Sequence, residues 1–302
     1  MPEPAAQAAP DAPVRPHAQR FDAIGTRWQI DTARALTPAQ WSTLQDRIGD
    51  FDRTWSRFRS DSLVSRLAGG PTTVEFPAEA QPLIELYRRL YDGTGGAVTP
   101  LIGGTLADLG YDADYRFTRS ATVRPTPAWD EAMRWDGPVV TTTGPLVLDV
   151  GAAGKGYLVD LLAELLMSFE VGSFVVDGSG DLRHHGPDAI RVGLEHPADP
   201  GRVIGVVPLS DDALAASAGN RRSWAGLHHI VDPRTGEPVR DVTATWVIAG
   251  SAMVADGLAT ALFFTSPAQT RTLAAAFGAD WLRVRSDGSA HWSTTFEGEL
   301  FS

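Results

Sequence analysis

Residues 149–157 read DVGAAGKGY, a turn of small residues that runs into a lysine. The apolar run Leu146–Leu148 before it predicts a strand, and the apolar periodicity after it predicts a helix over Lys155–Phe169. The start of a helix presents unpaired backbone N–H groups to an anion, and the ammonium of Lys155 suits a phosphate. A tight turn with a surface lysine explains the pattern equally well, and the GxxxxGK[ST] spacing of a P-loop is absent.

A second candidate site lies in a nearly apolar stretch, about Ser251–Phe264, which predicts a helix. Asp256 and Thr260 stand four residues apart, and this spacing places both side chains on one helix face. An isolated buried carboxylate is costly, and oxygen ligands around a hard cation such as Mg²⁺ would relieve that cost. Capping of the helix by Asp256 near its start is an equally good interpretation.

The third candidate is a pair of histidines before a turn, in residues 228–236, which read HHIVDPRTG. The Asp-Pro-Arg-Thr-Gly run favours a turn, and the residues before it predict a strand. His229 could act as a general base near neutral pH, although a single histidine is more often structural or at the surface. Adjacent strand residues face opposite ways, so His228 and His229 do not indicate a zinc site.

The elements that must position these residues are amphipathic helices and short strands. Apolar spacings of three and four predict a helix from Pro38 to Phe58 with Thr37 as its N-cap, and a second helix over Ala78–Tyr91. Strand-like runs follow at Phe174–Val176, Ile190–Leu194 and Val203–Val207. Clustered strands with interspersed helices predict an α+β fold.

Composition excludes several functional classes. Lys and Arg number 26 against 37 Asp and Glu, for a net charge of −11. Such a chain is a poor partner for nucleic acid or anionic membranes, because binding to phosphate backbones needs clustered cations. The absence of cysteine removes disulfides, thiolate nucleophiles and Cys-zinc sites.

The first twenty residues hold five prolines and six alanines without a continuous apolar segment. This composition predicts a disordered tail over residues 1–20, with neither a secretory signal nor a membrane span. The expected location is therefore the cytoplasm.

Taken in order, these motifs resemble those of the ApbE family of flavin transferases. The most specific match is the run 229–236, which reads His-Ile-Val-Asp-Pro-Arg-Thr-Gly against the family's His-Ile-x-Asp-Pro-Arg-Thr-Gly. Residues 149–157 are similar to Asp-Leu-Gly-Ala-Ile-Ala-Lys-Gly-Tyr, and the last predicted helix to Ala-Asp-Ala-Leu-Ala-Thr-Ala-Leu. Shorter matches occur at residues 25–28, 58–67, 96–100 and 178–181, so the resemblance covers about four fifths of the chain.

The resemblance implies one domain over residues 21–302 with a T-fold-like architecture of mainly antiparallel sheets packed with helices. The side chains of Asp256 and Thr260 and the carbonyl of Ala152 would bind Mg²⁺, and His229 would be the catalytic base. FAD is implied as the substrate, held by Ile24, Phe58, Ala97, Val98, Thr99, Asp149, Lys155 and His229.

The implied activity is Mg²⁺-dependent transfer of the FMN half of FAD to a Thr or Ser of an acceptor flavoprotein, with release of AMP. The acceptor is expected to carry an Asp-x-x-[Ser/Thr]-Gly-Ala-Thr-like site. Two alternatives share the same site: hydrolysis of FAD to FMN and AMP, and FAD binding without catalysis.

The chain also departs from the family pattern. Thr99 stands in place of an Asp, Phe58 of a Tyr and Ile24 of a Met, while Ser179 and Ala218 replace glycines. Each change is expected to weaken FAD binding or shift its pose without removing the metal ligands, Lys155 or His229.

Overall fold

The computed structural model describes residues 17–220 and 223–301. In this part of the chain there are three short 3₁₀ helices, at Val64–Gly69, Ala78–Ala80 and Pro100–Ile102. The α-helices of the described residues are α1 (Pro38–Trp55), α2 (Gln81–Gly93), α3 (Gly103–Asp108), α4 (Trp129–Ala132), α5 (Gly154–Ser168), α6 (Ala252–Ala261) and α7 (Pro267–Ala276).

The strands of the described residues are mostly short, as the sequence predicts. In chain order they are β1 (His17–Ala23), β2 (Thr26–Thr32), β3 (Thr73–Glu75), β4 (Met133–Asp136), β5 (Val139–Thr142), β6 (Phe174–Asp177), β7 (Asp181–His185), β8 (Ile190–His196), β9 (Asp199–Leu209), β10 (Ala213–Ala218), β11 (Ser223–Trp224), β12 (Leu227–His228), β13 (Val231–Asp232), β14 (Glu237–Pro238), β15 (Val242–Ala249), β16 (Asp280–Arg285), β17 (Ala290–Trp292) and β18 (Glu299–Leu300).

Eight of these strands form one sheet in the order β1-β2-β6-β7-β10-β15-β16-β17, and every neighbouring pair is antiparallel. Two three-stranded sheets, β18-β9-β8 and β3-β5-β4, and two hairpins, β11-β12 and β13-β14, complete the described strands. The predicted α+β fold with mainly antiparallel sheets is confirmed.

The predicted tail of residues 1–20 extends four residues too far. Strand β1 begins at His17, which pairs with Thr32 of β2. Pairing with the next strand in the β1–β2 hairpin overrides the local composition on which the prediction was based. Residues 1–16 lie outside the described residues.

The main helices form where their apolar periodicity predicts, with shifted ends. Thr37 caps α1 and accepts a hydrogen bond from the backbone N–H of Gln40, but the helix ends at Trp55 rather than Phe58. The prediction for Ala78–Tyr91 divides into the 3₁₀ turn Ala78–Ala80 and α2. Helix α7 was not predicted, although Ser266 and Pro267 give it the same capping box and first-turn proline as α1.

The prediction of a strand at Leu146–Leu148 is wrong. Leu146 and Leu148 are buried as in a strand, but the backbone N–H of Leu146 donates to Leu67 and that of Asp149 to Pro100, both in or beside 3₁₀ turns. A short apolar run indicates burial and does not by itself distinguish a strand from an extended, buried loop.

Helices α5 and α6 pack closely over the eight-stranded sheet, and this packing depends on Gly156. A Cβ at residue 156 would overlap the carbonyl oxygen of Ala252 and lie 2.8 Å from the Cβ of Asp256. The close approach brings residues about a hundred positions apart into one site, because the backbone N–H of Gly156 then reaches the carboxylate of Asp256 at 3.0 Å.

Gly156→Ala is therefore expected to lower the free energy of unfolding by about 2–3 kcal/mol, because a methyl group forced into a packed helix interface displaces backbone. Urea titration followed by circular dichroism measures this change. Gly144→Ala is the matched control, since a Cβ there meets nothing within 4 Å. Equal stability of both variants would show that α5 and α6 can separate without cost.

Candidate active site

The candidate site is a cleft of about 650 Å³ between the β1–β2 turn, the end of α1, the start of α5, the end of β10 and α6. The residues predicted from the sequence for metal binding, cofactor binding and catalysis all line it: Ile24, Phe58, Ala97, Val98, Thr99, Asp149, Ala152, Lys155, His229, Asp256 and Thr260. The structure thus brings together residues that span most of the chain.

The small-residue turn before α5 is braced from two sides. The carboxylate of Asp149 accepts a hydrogen bond from the backbone N–H of Gly151 at 2.7 Å and pairs with the Nε of Arg57 at 2.5 Å. The hydroxyl of Tyr87 accepts from the backbone N–H of Ala152 at 3.2 Å. Burial, together with the charges of Asp149 and Asp256, raises the pKa of Tyr87 well above its usual value, so its hydroxyl stays neutral.

Helix α6 meets this turn through Asp256 and Thr260. The Oδ2 of Asp256 accepts from the Gly156 N–H, and its Oδ1 lies 3.5 Å from the Nζ of Lys155. The Oγ1 of Thr260 lies 3.4 Å from the carbonyl oxygen of Ala152. Ser251 is the residue that caps α6, so Asp256 is not a helix cap, and that alternative interpretation is excluded.

Lys155 forms a compact charged group with two carboxylates beside this turn. The Lys155 ammonium forms ion pairs with the buried carboxylates of both Asp181 and Asp256. Burial, reinforced by the charge of Asp256 and opposed by Lys155, raises the pKa of Asp181 to about 7. One Oδ of Asp181 is buried without a hydrogen-bond partner among the described residues.

The oxygen atoms of Asp256, Thr260 and Ala152 fit a hard divalent cation. One carboxylate, one hydroxyl and one backbone carbonyl from Asp256, Thr260 and Ala152 are the oxygen ligands that Mg²⁺ prefers, with remaining positions for water or substrate oxygens. Within residues 17–220 and 223–301, His, Asp and Glu side chains do not gather in threes as a metal cage. A divalent cation at this site would therefore be bound by a mixed set of ligands: the Asp256 carboxylate, the Thr260 hydroxyl and the Ala152 carbonyl.

The other part of the cleft is aromatic. The Phe58 ring stacks on Tyr115 with a centroid distance of 5.1 Å and an interplanar angle of 4°, and Tyr111 stands edge-on to Phe58. The guanidinium of Arg57 lies over Phe58 at 4.3 Å, and Trp224 stacks on Tyr111. Flat rings of this kind suit a planar heteroaromatic ligand.

The remaining predicted cofactor residues belong to tight backbone segments. Ile24, in the β1–β2 turn, has φ +41°, which is unusual for a β-branched residue. Ala97, Val98 and Thr99 are nearly inaccessible, and the Thr99 hydroxyl accepts from the backbone N–H of Leu101. Thr99 thus stabilises the start of the 3₁₀ turn that follows it.

His229 lies between two hairpins rather than on the single strand predicted for it. Strand β12 ends at His228, and β13 begins at Val231. The Nε2 of His228 lies 2.8 Å from the carbonyl oxygen of Val239, and His229 lines the cleft. The Asp-Pro-Arg-Thr-Gly run forms the turn between β13 and β14, with Gly236 at φ +70°, as predicted.

Sequence reasoning gave no role to Arg57, Asp181 and Tyr115. Arg57 and Asp181 contribute to the site because their charged side chains are buried. The burial of one charged residue leaves no periodic pattern in the sequence from which it could be predicted. Tyr115 belongs to none of the predicted elements or motifs, and only the fold stacks it on Phe58. The run 178–181 was matched to the family motif without a role for its carboxylate.

Ser179 occupies a backbone conformation suited to glycine, with φ +66°. Ser179→Gly is expected to raise the free energy of unfolding by about 0.5–1 kcal/mol, because a side chain is strained in this region. Ser42→Gly, at an exposed position of α1, should lower it by a similar amount because glycine is a poor helix former. Thermal unfolding compares the two, and a loss in both variants would contradict strain at Ser179.

Solved structures share this fold. The ApbE protein of Thermotoga maritima matches with a TM-score of 0.82 at 26% identity, over 93% of this chain and 98% of that one. The flavin transferase ApbE of Vibrio cholerae matches with a TM-score of 0.78 at 22% identity, over 94% and 99% of the two chains. The α+β architecture is therefore that of ApbE flavin transferases.

The sequence profile of the ApbE family matches residues 24–281. The chain belongs to the ApbE family. Its relatives include the FAD:protein FMN transferase of Rhodobacter capsulatus, 27% identical over 92% of this chain, and that of Vibrio cholerae, 26% identical over 79%. The aligned region spans 57% of the Rhodobacter protein and 78% of the Vibrio protein. The family and the transferase class predicted from the sequence are confirmed.

None of the helices within residues 17–220 and 223–301 has both the length and the apolar character that a membrane crossing requires.

Proposed function

We propose that this protein is a Mg²⁺-dependent FAD:protein FMN transferase. The observation that carries the proposal is the convergence of the Ala152 carbonyl, Lys155, Asp256 and Thr260 in one cleft that Phe58 and His229 also line. Relatives that carry the name FAD:protein FMN transferase support the same activity.

The cleft has the composition that FAD needs. Its volume of about 650 Å³ lies in the range of small-molecule sites. The aromatic group of Phe58, Tyr111 and Tyr115 forms an apolar region suited to a planar ring system, while the start of α5 and Lys155 face the region where a diphosphate would lie. Ile24 and residues 97–99 also line the cleft, and Asp149 fixes the turn before α5.

The side chains of Asp256 and Thr260 and the Ala152 carbonyl would hold Mg²⁺. When bound, Mg²⁺ supplies Lewis-acid polarisation of phosphoryl oxygens and neutralises negative charge on the diphosphate. Lys155 adds a second positive charge on the same side of the cleft, and the two ion pairs it forms with Asp181 and Asp256 limit where its ammonium can lie.

The transfer step exchanges one P–O bond for another. His229 takes the proton of the acceptor hydroxyl, and the hydroxyl oxygen attacks the FMN-side phosphorus of FAD. The bond from that phosphorus to the bridging oxygen breaks, so AMP leaves with the bridging oxygen and the acceptor keeps FMN as a phosphate ester. With water as the attacking group, the same site would release FMN and AMP.

Mass spectrometry of the acceptor decides among these outcomes. Purified protein is incubated with FAD, Mg²⁺ and a flavoprotein domain that carries the Asp-x-x-[Ser/Thr]-Gly-Ala-Thr-like site. The expected result is one FMN added to the Ser or Thr of that site, with one AMP released for each modified acceptor. Free FMN with an unmodified acceptor would identify a hydrolase, and bound FAD without AMP would identify a binding protein; either result contradicts the proposal.

A cytoplasmic location, the flavinylation motif of the acceptor flavoprotein and the absence of nucleic-acid partners stay predictions from the sequence.

A further inference from the structure

Helix α6, which carries Asp256 and Thr260, is held at its N-terminus by the half-buried carboxylate of Asp160 from α5. The Oδ1 of Asp160 accepts from the backbone N–H of Ala252 at 2.9 Å, and its Oδ2 accepts from that of Met253 at 2.9 Å and from the hydroxyl of Ser251 at 2.7 Å. A negative charge at this end of a helix complements the helix dipole. Burial raises the pKa of Asp160, and the three hydrogen bonds oppose that rise.

The C-terminus of α6 is held by a buried cation from β16. The side chain of Arg283 donates from Nη1 to the carbonyl of Thr265 at 2.8 Å, to that of Leu262 at 3.4 Å and to the hydroxyl of Thr270 at 3.3 Å. Arg283 is only 3% exposed, and within the described residues it forms no ion pair with a carboxylate. Its charge therefore acts on the carbonyl groups that follow α6, where a helix favours a cation.

The packing of α6 against its neighbouring helices is close. A Cβ at Gly257 of α6 would lie 2.8 Å from the side chain of Leu90 in α2, and a Cβ at Gly156 of α5 would overlap the carbonyl oxygen of Ala252 in α6. These contacts set how near the helices lie, while the hydrogen bonds of Asp160 and Arg283 hold the two ends of α6.

The site tolerates little movement of α6 along its axis. A slide by one residue moves a helix by about 1.5 Å. Such a slide would break the 3.0 Å contact between Gly156 and Asp256 and separate Thr260 from the Ala152 carbonyl, now 3.4 Å apart.

We propose that Asp160 and Arg283 are positioning residues that fix α6 along its axis, so that Asp256, Thr260 and the Ala152 carbonyl keep the spacing that binds a divalent cation. The inference rests on the proposed function only in the assignment of these three groups to a cation. Neither Asp160 nor Arg283 lines the cleft.

Binding of Mn²⁺ alone, measured from the loss of the free-ion EPR signal, tests this without turnover. Asp160→Asn and Arg283→Met are expected to raise the Kd for Mn²⁺ by about tenfold or more, the effect usual for residues that orient metal ligands. Arg283→Lys keeps the cation and should recover most of the affinity. In turnover assays, both losses should appear in the half-saturating Mg²⁺ concentration rather than in the KM for FAD.

Leu44→Ala is the matched control for stability, because Leu44 is fully buried in α1 and far from both ends of α6 in the sequence. It should lower stability without changing the Kd for Mn²⁺. If Asp160→Asn does not fold, Ser251→Ala removes one of the same contacts and should still weaken Mn²⁺ binding several-fold.

Folded Asp160→Asn and Arg283→Met proteins with wild-type affinity would overturn the inference, as would an equal loss in Leu44→Ala. A wild-type protein that binds no Mn²⁺ would contradict the cation site as well. By contrast, a wild-type protein that releases no AMP but binds Mn²⁺, with the expected losses in the variants, would overturn only the proposed function.

Discussion

Asp256→Asn is expected to reduce AMP release by about 10³-fold or more and to leave the protein folded. Asparagine is nearly the same size and can still accept from the Gly156 N–H, but it removes the only side-chain charge among the three proposed Mg²⁺ ligands. Polarisation by a bound metal contributes several kcal/mol to a phosphoryl transfer, and each 1.4 kcal/mol corresponds to a factor of ten in rate. The rate of AMP release at saturating FAD, measured over a range of Mg²⁺ concentrations, checks the prediction.

Asp136→Asn is the matched control, since Asp136 is an exposed strand residue whose carboxylate pairs with Arg134 and does not line the cleft. Its rate should equal that of the wild type. Wild-type AMP release in Asp256→Asn at low Mg²⁺ would remove Asp256 from the metal site.

His229→Ala is expected to slow FMN transfer by about 10²–10⁴-fold while the Kd for FAD changes little, because general base catalysis acts on the acceptor hydroxyl rather than on FAD. Added imidazole should restore part of the rate if the space left by the ring admits it. Transfer is measured by the mass of the acceptor, and FAD binding by quenching of flavin fluorescence.

His291→Ala provides the comparison, since His291 is an exposed residue of β17 outside the cleft. It should transfer FMN at the wild-type rate. Full activity of His229→Ala would assign the proton transfer to another group, and a large loss of FAD binding would indicate that His229 mainly holds the substrate.

The local features of the site could be predicted because short-range rules govern them. Thr37 caps its helix, the Asp-Pro-Arg-Thr-Gly run makes its turn, and the spacing of Asp256 and Thr260 puts both on one face of α6. Each depends on residues within a few positions of one another.

The convergence of these features could be inferred only through the family resemblance. The contact between Gly156 and Asp256 joins residues a hundred positions apart, and it requires a glycine where no turn or positive φ demands one. Gly156 must be a glycine because α6 packs directly against it, and a single sequence does not show which helices are in contact.

The predictions from the sequence were wrong where contacts with other parts of the chain override the local preference for a strand or a loop. Leu146–Leu148 has the composition of a strand, but the backbone N–H of Leu146 donates to the carbonyl of Leu67 in a 3₁₀ helix. Residues His17–Arg20 have the composition of the tail before them, but they pair with β2. The roles of Arg57, Asp160 and Arg283 could not be predicted, because their partners are backbone groups or carboxylates far along the chain.

The anomalous difference density of a crystal soaked with Mn²⁺ and FAD shows whether a metal occupies the proposed site. We expect a peak within coordination distance of the Asp256 carboxylate, the Thr260 hydroxyl and the Ala152 carbonyl, next to the FAD diphosphate, and no peak there in Asp256→Asn. A metal peak elsewhere, or FAD bound with its diphosphate away from Lys155 and these three oxygens, would contradict the proposed site.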